Sequence, residues 1–385
     1  MKTEIEHFPV NWVDGMKISR VHFEQTENAI YDQIRDAYSL PLNTFNFGLL
    51  PQVSIDKPSI DIVVMDKQPN YIKLKLNLCR AVTESGFRIE ITPAIVQSFN
   101  STKLFEVELS NQNMQASNFD VLLSVNLFKR LPIGKPNPEE TPVRHPSSIF
   151  DYQLSIIPTE KVNQNDISSN ILLVGKINIK GDDAVFDTTF IPPCTTIHSH
   201  PVLFKFYKEL GKAIFEMNDN CSKIITNVLG KKQNSDLASN VKAIAEQLVY
   251  TIADGSYEYK SIGFQHSPFY LVNFIIKLAN KIKAVIQTVN EKEKLIRYLT
   301  NWGDIKQGNY ESMLDETTTI KYNHFEIYQT LKKVESFLAL TAHIMNKLSS
   351  MDILEEKGAG PNMIISQKEV RGDKGKGSDF SVFAD

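Results

Sequence analysis

Apolar periodicity changes once along this chain, and that change constrains the fold more than any other feature. Up to Phe190 apolar residues mostly alternate with polar ones, the period of a half-buried strand. Beyond Pro201 they recur every three or four residues, the period of a helix face. Between lies Phe190-Ile-Pro-Pro-Cys-Thr-Thr-Ile-His-Ser-His-Pro201. Pro192 and Pro193 lack backbone donors and have fixed φ, so neither a ladder nor a helix runs through them. Pro201, with Ser199 or His200 ahead of it, suits the first position of a helix. The pattern predicts a segregated α+β protein: a β half over 1–190, a linker over 191–201, an α half over 202–350 and a flexible tail over 351–385.

In the β half, Asp14-Gly15 between apolar flanks reads as a hairpin or reversal. A helix follows from about His22 to Tyr38, expected to turn Phe23, Ile30, Ile34 and Ala37 or Tyr38 inward and to stop at Pro41. It is the only helix predicted before the junction. Strands are expected at Ile60–Met65, Tyr71–Leu78, Phe87–Ile91, Leu104–Leu109, Val121–Phe128, Ile149–Ile156, Leu172–Ile179 and Val185–Phe190. About nine short strands separated by turn residues point to an antiparallel sandwich or barrel. Leu131–Pro142 carries four prolines and a glycine and reads as a long exposed loop.

The α half is patterned more tightly. Leu203, Phe206, Leu210, Ile214, Met217, Cys221, Ile224 and Val228 follow a near-heptad with one stutter. A second helix, about Asp236 to Ala253, presents Leu237, Val241, Ile244, Leu248 and Ile252. A third opens at Ser267-Pro268, a good N-cap and first-turn pair, and presents Leu271, Ile275, Leu278, Ile282, Val285 and Val289. A short amphipathic piece at Leu295–Trp302, a polar loop and a last helix from about His324 to Ser349 complete a helical bundle. Such narrow seams either join subunits or close within one chain. As subunit contacts they make Leu203, Phe206, Leu210, Ile214, Met217, Leu271, Ile275, Leu278 and Ile282 a candidate oligomer interface. Past Glu355 the composition turns to Gly, Lys, Asp and Ser, too poor in apolar residues to fold alone. There, Phe380 and Phe383 are either inert or a docking motif.

A net charge of −3 argues against nucleic-acid binding, which calls for a basic face. Three scattered cysteines suggest a reducing compartment without a disulfide framework. With no signal-like N-terminus and no apolar run of spanning length, a cytoplasmic location without membrane insertion is expected. The sequence holds no phosphate-binding loop, dinucleotide fingerprint, nucleophile elbow or zinc-protease motif. No catalytic residue and no cofactor is expected. His198-Ser-His200, with His266 and Cys194, is a conceivable zinc ligand set. It lacks a nearby carboxylate to orient the rings, so polar linker residues are the simpler reading.

Four stretches resemble the TssK family, the baseplate subunit of the bacterial type VI secretion system. Trp12, Asp14, Gly15, Met16, Ile18, His22 and Phe23 fall in register with its opening Trp-x-Glu-Gly-Met-x-Leu-x-Pro-Gln-His-Phe-Gln signature. The chain departs by Asp for Glu and by Arg20-Val21 for Pro-Gln. Phe45-Asn-Phe-Gly48 is similar to the family's exit from its first helix, and Phe190–Cys194 to its junction ahead of a helical neck. His266, Pro268, Tyr270, Leu278 and Ala279 resemble a pattern on a neck helix. The resemblance spans residues 12 to 280. It implies a β-sandwich shoulder akin to phage receptor-binding proteins, a helical neck, a homotrimer and docking of the shoulder onto the TssF–TssG wedge.

Family members also carry a C-terminal head of about a hundred residues, the size of a small domain, that contacts the membrane complex. Here it looks missing or replaced, as in a divergent system such as that of Bacteroidota, and the Phe380–Phe383 tail would take over part of its docking. Trp12, Asp14, Gly15, Met16, His22 and Phe23 are either core residues pinning a turn to a helix or part of the wedge-binding surface. The expected function is thus a non-enzymatic adaptor linking the baseplate towards the membrane complex. The alternatives are a phage-tail-like receptor-binding protein and a His-ligated metal enzyme.

Overall fold

The computed structural model describes residues 4–54, 57–110, 116–162, 170–181, 183–233, 235–302 and 308–350. Its order is α1 (Arg20–Ser39), β1 (Gly48–Leu49), β2 (Ile60–Gln68), β3 (Tyr71–Val82), β4 (Arg88–Ile91), α2 (Pro93–Ser98), β5 (Glu106–Ser110), β6 (Asn118–Ile133), β7 (Ser147–Pro158), β8 (Ile171–Lys180) and β9 (Asp183–Phe186). Among the described residues six α-helices follow: α3 (Pro201–Gly230), α4 (Asp236–Ile262), α5 (Pro268–Thr288), α6 (Lys292–Trp302), α7 (Asn309–Thr318) and α8 (Ile327–Ser349).

The strands form two antiparallel sheets. In the first, β3 is the spine and pairs with β1, β2, β4 and β5; the second runs β7-β6-β8-β9. Along β3, Ile72, Leu74 and Leu76 are buried, then the parity changes to Cys79 and Ala81. The cause is a bulge: Asp61 faces Leu78 and Ile62 faces Leu76, leaving Asn77 unopposed. One extra residue in a strand exchanges its faces, so the bulge keeps the apolar side turned inward along the whole strand. The sheets meet where the Glu90 N–H of β4 reaches the Tyr152 hydroxyl of β7 at 3.3 Å.

Each of the eight expected strands is present, with shifted ends. Leu131–Ile133, expected in the long loop, instead extends β6 and pairs with Ser147–Ile149 beyond a bulge at Asn126/Arg130. β9 stops at Phe186, four residues short of Phe190, whose ring lies under the Lys176 ammonium at 5.4 Å. Two helices were not foreseen. α2 is capped by Thr92, whose hydroxyl accepts from the Ile95 N–H, and has Pro93 in its first turn. α7 occupies part of the expected polar loop and buries Tyr310 and Leu314.

In the α half, α3 packs against α4 and α8, and α5 closes the ring by packing against the same two helices. Ser235 caps α4 by accepting from the Ala238 N–H, and α4 runs to Ile262 instead of Ala253. Two tyrosines fasten α3 to α4. Tyr259 donates to the Tyr207 carbonyl at 2.6 Å, Tyr207 donates to the Tyr259 carbonyl, and the rings stack 4.5 Å apart.

Residues 191–201, expected as a linker, are largely buried and hydrogen-bonded to β1. The Leu49 N–H donates to the Pro193 carbonyl at 2.7 Å, and the Leu49 carbonyl accepts from the Thr195 N–H at 2.9 Å. Pro192 and Pro193 lose donors here, yet Pro193 still supplies the acceptor that a one-sided pairing needs. Gly48, at φ +108°, permits the approach, since a Cβ there would stand 2.0 Å from the Pro193 oxygen. A second link comes from His324, just ahead of α8. Its Nε2–H donates to the Phe47 carbonyl at 2.9 Å, while Nδ1 accepts from the Tyr322 hydroxyl at 2.8 Å.

Candidate interaction surface

Helix α1 is held by its polar face. It opens at Ser19, whose N–H donates to His22 Nδ1 at 3.1 Å, so His22 closes the first turn. The buried positions are Ala29, Asp32, Arg35 and Ser39. Asp32 and Arg35 form an ion pair of 2.8 Å, with each side chain only 1% exposed. The other Asp32 oxygen accepts the Glu6 and His7 N–H groups at 2.7 and 2.9 Å. Arg35 donates to the Glu4 carbonyl at 3.1 Å and to the Ser85 carbonyl at 3.3 Å. Burial alone would raise the Asp32 carboxyl. The Arg35 guanidinium and the two amides outweigh it and hold the group below its ordinary range. One buried pair thus ties the arm of residues 4–19 and the loop before β4 to α1.

That anchoring reverses the face expected of α1. Phe23, Ile30, Ile34 and Tyr38 point to solvent, at 58%, 50%, 44% and 53% exposure. The arm adds Phe8 and Trp12, at 72% and 50%. Eleven of the 19 large hydrophobic side chains exposed among the described residues lie between Ile5 and Leu40. Scattered exposed apolar residues need no explanation; this concentration makes the arm and the outer side of α1 the candidate interaction surface. The Asp14-Gly15 turn closes with Met16 N–H on the Val13 carbonyl at 3.2 Å and Gly15 at φ +79°, with no flanking strands.

Beside the first two turns of α1 lies a groove of about 1010 Å³, lined in part by Arg20, Phe23, Glu27, Lys129, Arg130 and Arg144. Arg130 bridges helix and sheet: it donates to Asn28 Oδ1 at 3.1 Å, sits 3.6 Å from the Glu27 carboxylate and covers the Tyr31 ring at 5.1 Å.

The other sequence candidates fall elsewhere. Of the N-terminal set, Trp12, Asp14, Gly15 and Phe23 are exposed, while Met16 and His22 are half-buried. Trp12 and Phe23 therefore do not pin a core. Leu203, Phe206, Leu210, Ile214, Met217, Leu271, Ile275, Leu278 and Ile282 are at most 5% exposed, so their seams close within the chain. His198 lies edge-on to Phe204 and Phe264. His200 is pushed down to about 4 by burial. His266 stacks on Tyr270 and sits 3.1 Å from the Glu258 carboxylate. Among the described residues no three His, Cys, Asp or Glu side chains are gathered where they could share a metal ion. Phe380 and Phe383 lie outside the described residues.

Asp32 and Arg35 were missed. Their signal was present: two opposite charges three apart, on the same helical face as Ala29 and Ser39. Apolar periodicity gave that face to solvent, because burying a charge is costly unless every partner is supplied. The backbone amides of the arm supply them here, and they are invisible in a side-chain pattern.

No family profile matches the sequence, and no curated protein matches it. Among solved structures, a crystal structure of TssK aligns over 88% of this chain and 69% of its own, with TM-score 0.54 and 15% identity. TssK from the EAEC type VI secretion system, solved with nanobody nb18, aligns over 82% and 68%, with TM-score 0.50 and 13% identity. A chain of the TssK–TssF–TssG baseplate subcomplex aligns over 88% and 99%, but its TM-score of 0.48 is too low to carry an argument. Identities of this size speak to the fold alone. Two antiparallel sheets clamped to a ring of long helices, with residues 12 to 23 on an exposed arm and helix, make this chain a match in fold to the TssK family.

Proposed function

We propose that this chain is a non-enzymatic structural component of a type VI secretion baseplate, acting in the cytoplasm as a homotrimeric adaptor. Its two sheets act as the sandwich shoulder and its helices as a bundled neck. The shoulder docks onto the TssF–TssG wedge and links the baseplate towards the membrane complex. One observation carries this reading: in a chain of TssK fold, the largest concentration of exposed apolar side chains coincides with the stretch resembling the TssK signature. A surface of this kind is disfavoured in water unless another chain covers it.

With the seams of α3 and α5 occupied internally, a trimer needs another face. The outer side of α4 offers Tyr250 and Tyr257, 62% and 83% exposed and seven residues apart. Light scattering on the purified protein checks the assembly; a mass near three times 43.7 kDa is expected, and a monomer at every concentration refutes it. Co-purification with the wedge checks docking. Trp12→Asp and Phe23→Asp are expected to keep the circular dichroism of the parent and lose the wedge, and wild-type protein that never retains the wedge sinks the reading.

A further inference from the structure

We propose that the groove between α1 and the β6–β7 pair seats an extended, acidic segment of a partner protein, one of whose carboxylates pairs with Arg130. The groove borders the surface assigned above to docking, so the inference deepens that reading and rests on it for the partner's identity. The chemistry of the segment follows from the groove itself. Its charged lining is four cations, Arg20, Lys129, Arg130 and Arg144, against two carboxylates, Glu24 and Glu27. This surplus of two positive charges stands in a chain whose total is −3. Arg20, Lys129 and Arg144 face the Glu24, Asp151 and Glu140 carboxylates, with their own side chains 88%, 66% and 60% exposed. Pairs so exposed contribute little and are no obstacle to a new partner. Arg130 differs. Its side chain is 17% exposed, and its Nη2 is buried without a hydrogen bond among the described residues, the Glu27 carboxylate standing 3.6 Å away. A buried charged donor left unbonded is costly, and a charge-assisted bond to a carboxylate removes that cost. Glu27, 58% exposed, does not close the distance; an incoming carboxylate that displaces it would.

Shape selects a peptide over a small anion. The cations come from three elements, α1, β6 and the loop that follows β6, and they surround an opening of about 1010 Å³. That is the upper end of what drug-sized molecules fill. Phe23, Phe128 and Pro132 add apolar surface between the charges. The backbone beside the groove selects the conformation. Among the described residues β7 is the outer strand of its sheet, and its first two residues, Ser147 and Ser148, are exposed and line the groove. The N–H and C=O groups that β7 turns away from β6 there have no strand beside them, the condition under which an extended peptide adds to a sheet edge. In such a peptide successive side chains point to opposite sides, so acidic residues alternate with apolar ones.

The test titrates the full chain with a capped peptide of about eight residues, about 26 Å when extended, that alternates valine with aspartate. Controls are the same peptide with lysine for aspartate, an oligothymidylate of similar length, and the aspartate peptide N-methylated along one edge or the other. The aspartate peptide is expected to bind below about 1 mM and to weaken about fivefold between about 50 and about 300 mM salt. Arg130→Lys keeps the charge but loses the planar fork, and should weaken binding about fivefold. Glu27→Gln removes the competing carboxylate and should tighten binding about threefold. N-methylation along the pairing edge should abolish binding, and along the other edge spare it. Failure of the aspartate peptide to bind overturns the inference, as does equal uptake of the lysine peptide or the oligothymidylate. So does indifference to both Arg130→Lys and Glu27→Gln, or to methylation of either edge. Wild-type protein that takes the aspartate peptide but never the TssF–TssG wedge sinks the docking role and leaves the groove's specificity standing. Protein that holds the wedge but not the peptide does the reverse.

Discussion

Asp32 and Arg35 show how much one buried pair can organise. Both charges have left water, which is costly, and the cost is offset only because each finds several partners. Removing one partner leaves the other charge buried and alone, so Asp32→Ala is expected to destabilise the protein by about 3–5 kcal/mol. The double variant Asp32→Leu/Arg35→Met should recover much of this, since no orphan charge remains. It should not refasten the arm, because the Glu6 and His7 amides still lack their acceptor. Denaturant unfolding measures the first effect; limited proteolysis near residues 8–18 measures the second. A double variant that resists cleavage as the parent does would show that the carboxylate does not hold the arm. The pH sign agrees. The native carboxyl is held below its ordinary 3.8, so its contribution is full above that value and is lost as pH falls through the native one.

At the scale of elements, the contrast between α1 and α3 explains what could be read from sequence. Both carry apolar residues at helical spacing. In α3 the stripe from Leu203 to Val228 is the buried face, as periodicity implies; in α1 the stripe from Phe23 to Tyr38 is the exposed one. Periodicity reports that a helix has an apolar face, not which neighbour covers it. Strands such as β3 were legible because one side must be apolar whatever the partner, whereas bulges at Asn77 and Asn126/Arg130 follow from pairings that no local pattern contains. α7 was missed because its ten residues bury only Tyr310, Leu314 and Thr317, too few for a period. The candidate site was half legible: the segment was found, while its outward orientation depended on amides of the arm. The two stripes should respond oppositely to truncation. Leu210→Ala is expected to cost about 2–5 kcal/mol, and Ile34→Ser to change stability by no more than about 0.5 kcal/mol. Thermal or denaturant unfolding of the pair decides it, and an equal loss in both would mean that α1 is covered within its own chain.

Across the whole molecule, sheets and helices are joined at β1, where Pro193 and His324 converge on Phe47–Leu49. The imidazole of His324 is 2% exposed, and burial pushes its pKa down to about 4 from an ordinary 6.5. Burial is the cause, and it outweighs backbone hydrogen bonds to Phe47 and Cys194, which favour the charged ring; in the neutral ring Nε2–H donates to the Phe47 carbonyl and Nδ1 accepts from the Tyr322 hydroxyl. His200, ahead of α3, is shifted in the same direction for the same reason. A group whose native pKa is depressed stabilises the fold fully above its unfolded value and less as pH falls. Stability should therefore be flat above about pH 6.5 and fall below it by about 1.4 kcal/mol per pH unit from His324 alone, until its native pKa is reached. His324→Gln can still donate to the Phe47 carbonyl but cannot titrate, so its stability should fall less steeply between pH 6.5 and 4 while remaining close to that of the parent at pH 7.5. Urea unfolding at half-unit pH steps separates the two curves. Parallel slopes would remove His324 as the group that couples acid to the joint, and a large loss at pH 7.5 would mean that the Tyr322 hydroxyl, left without the ring nitrogen, matters more than the proton.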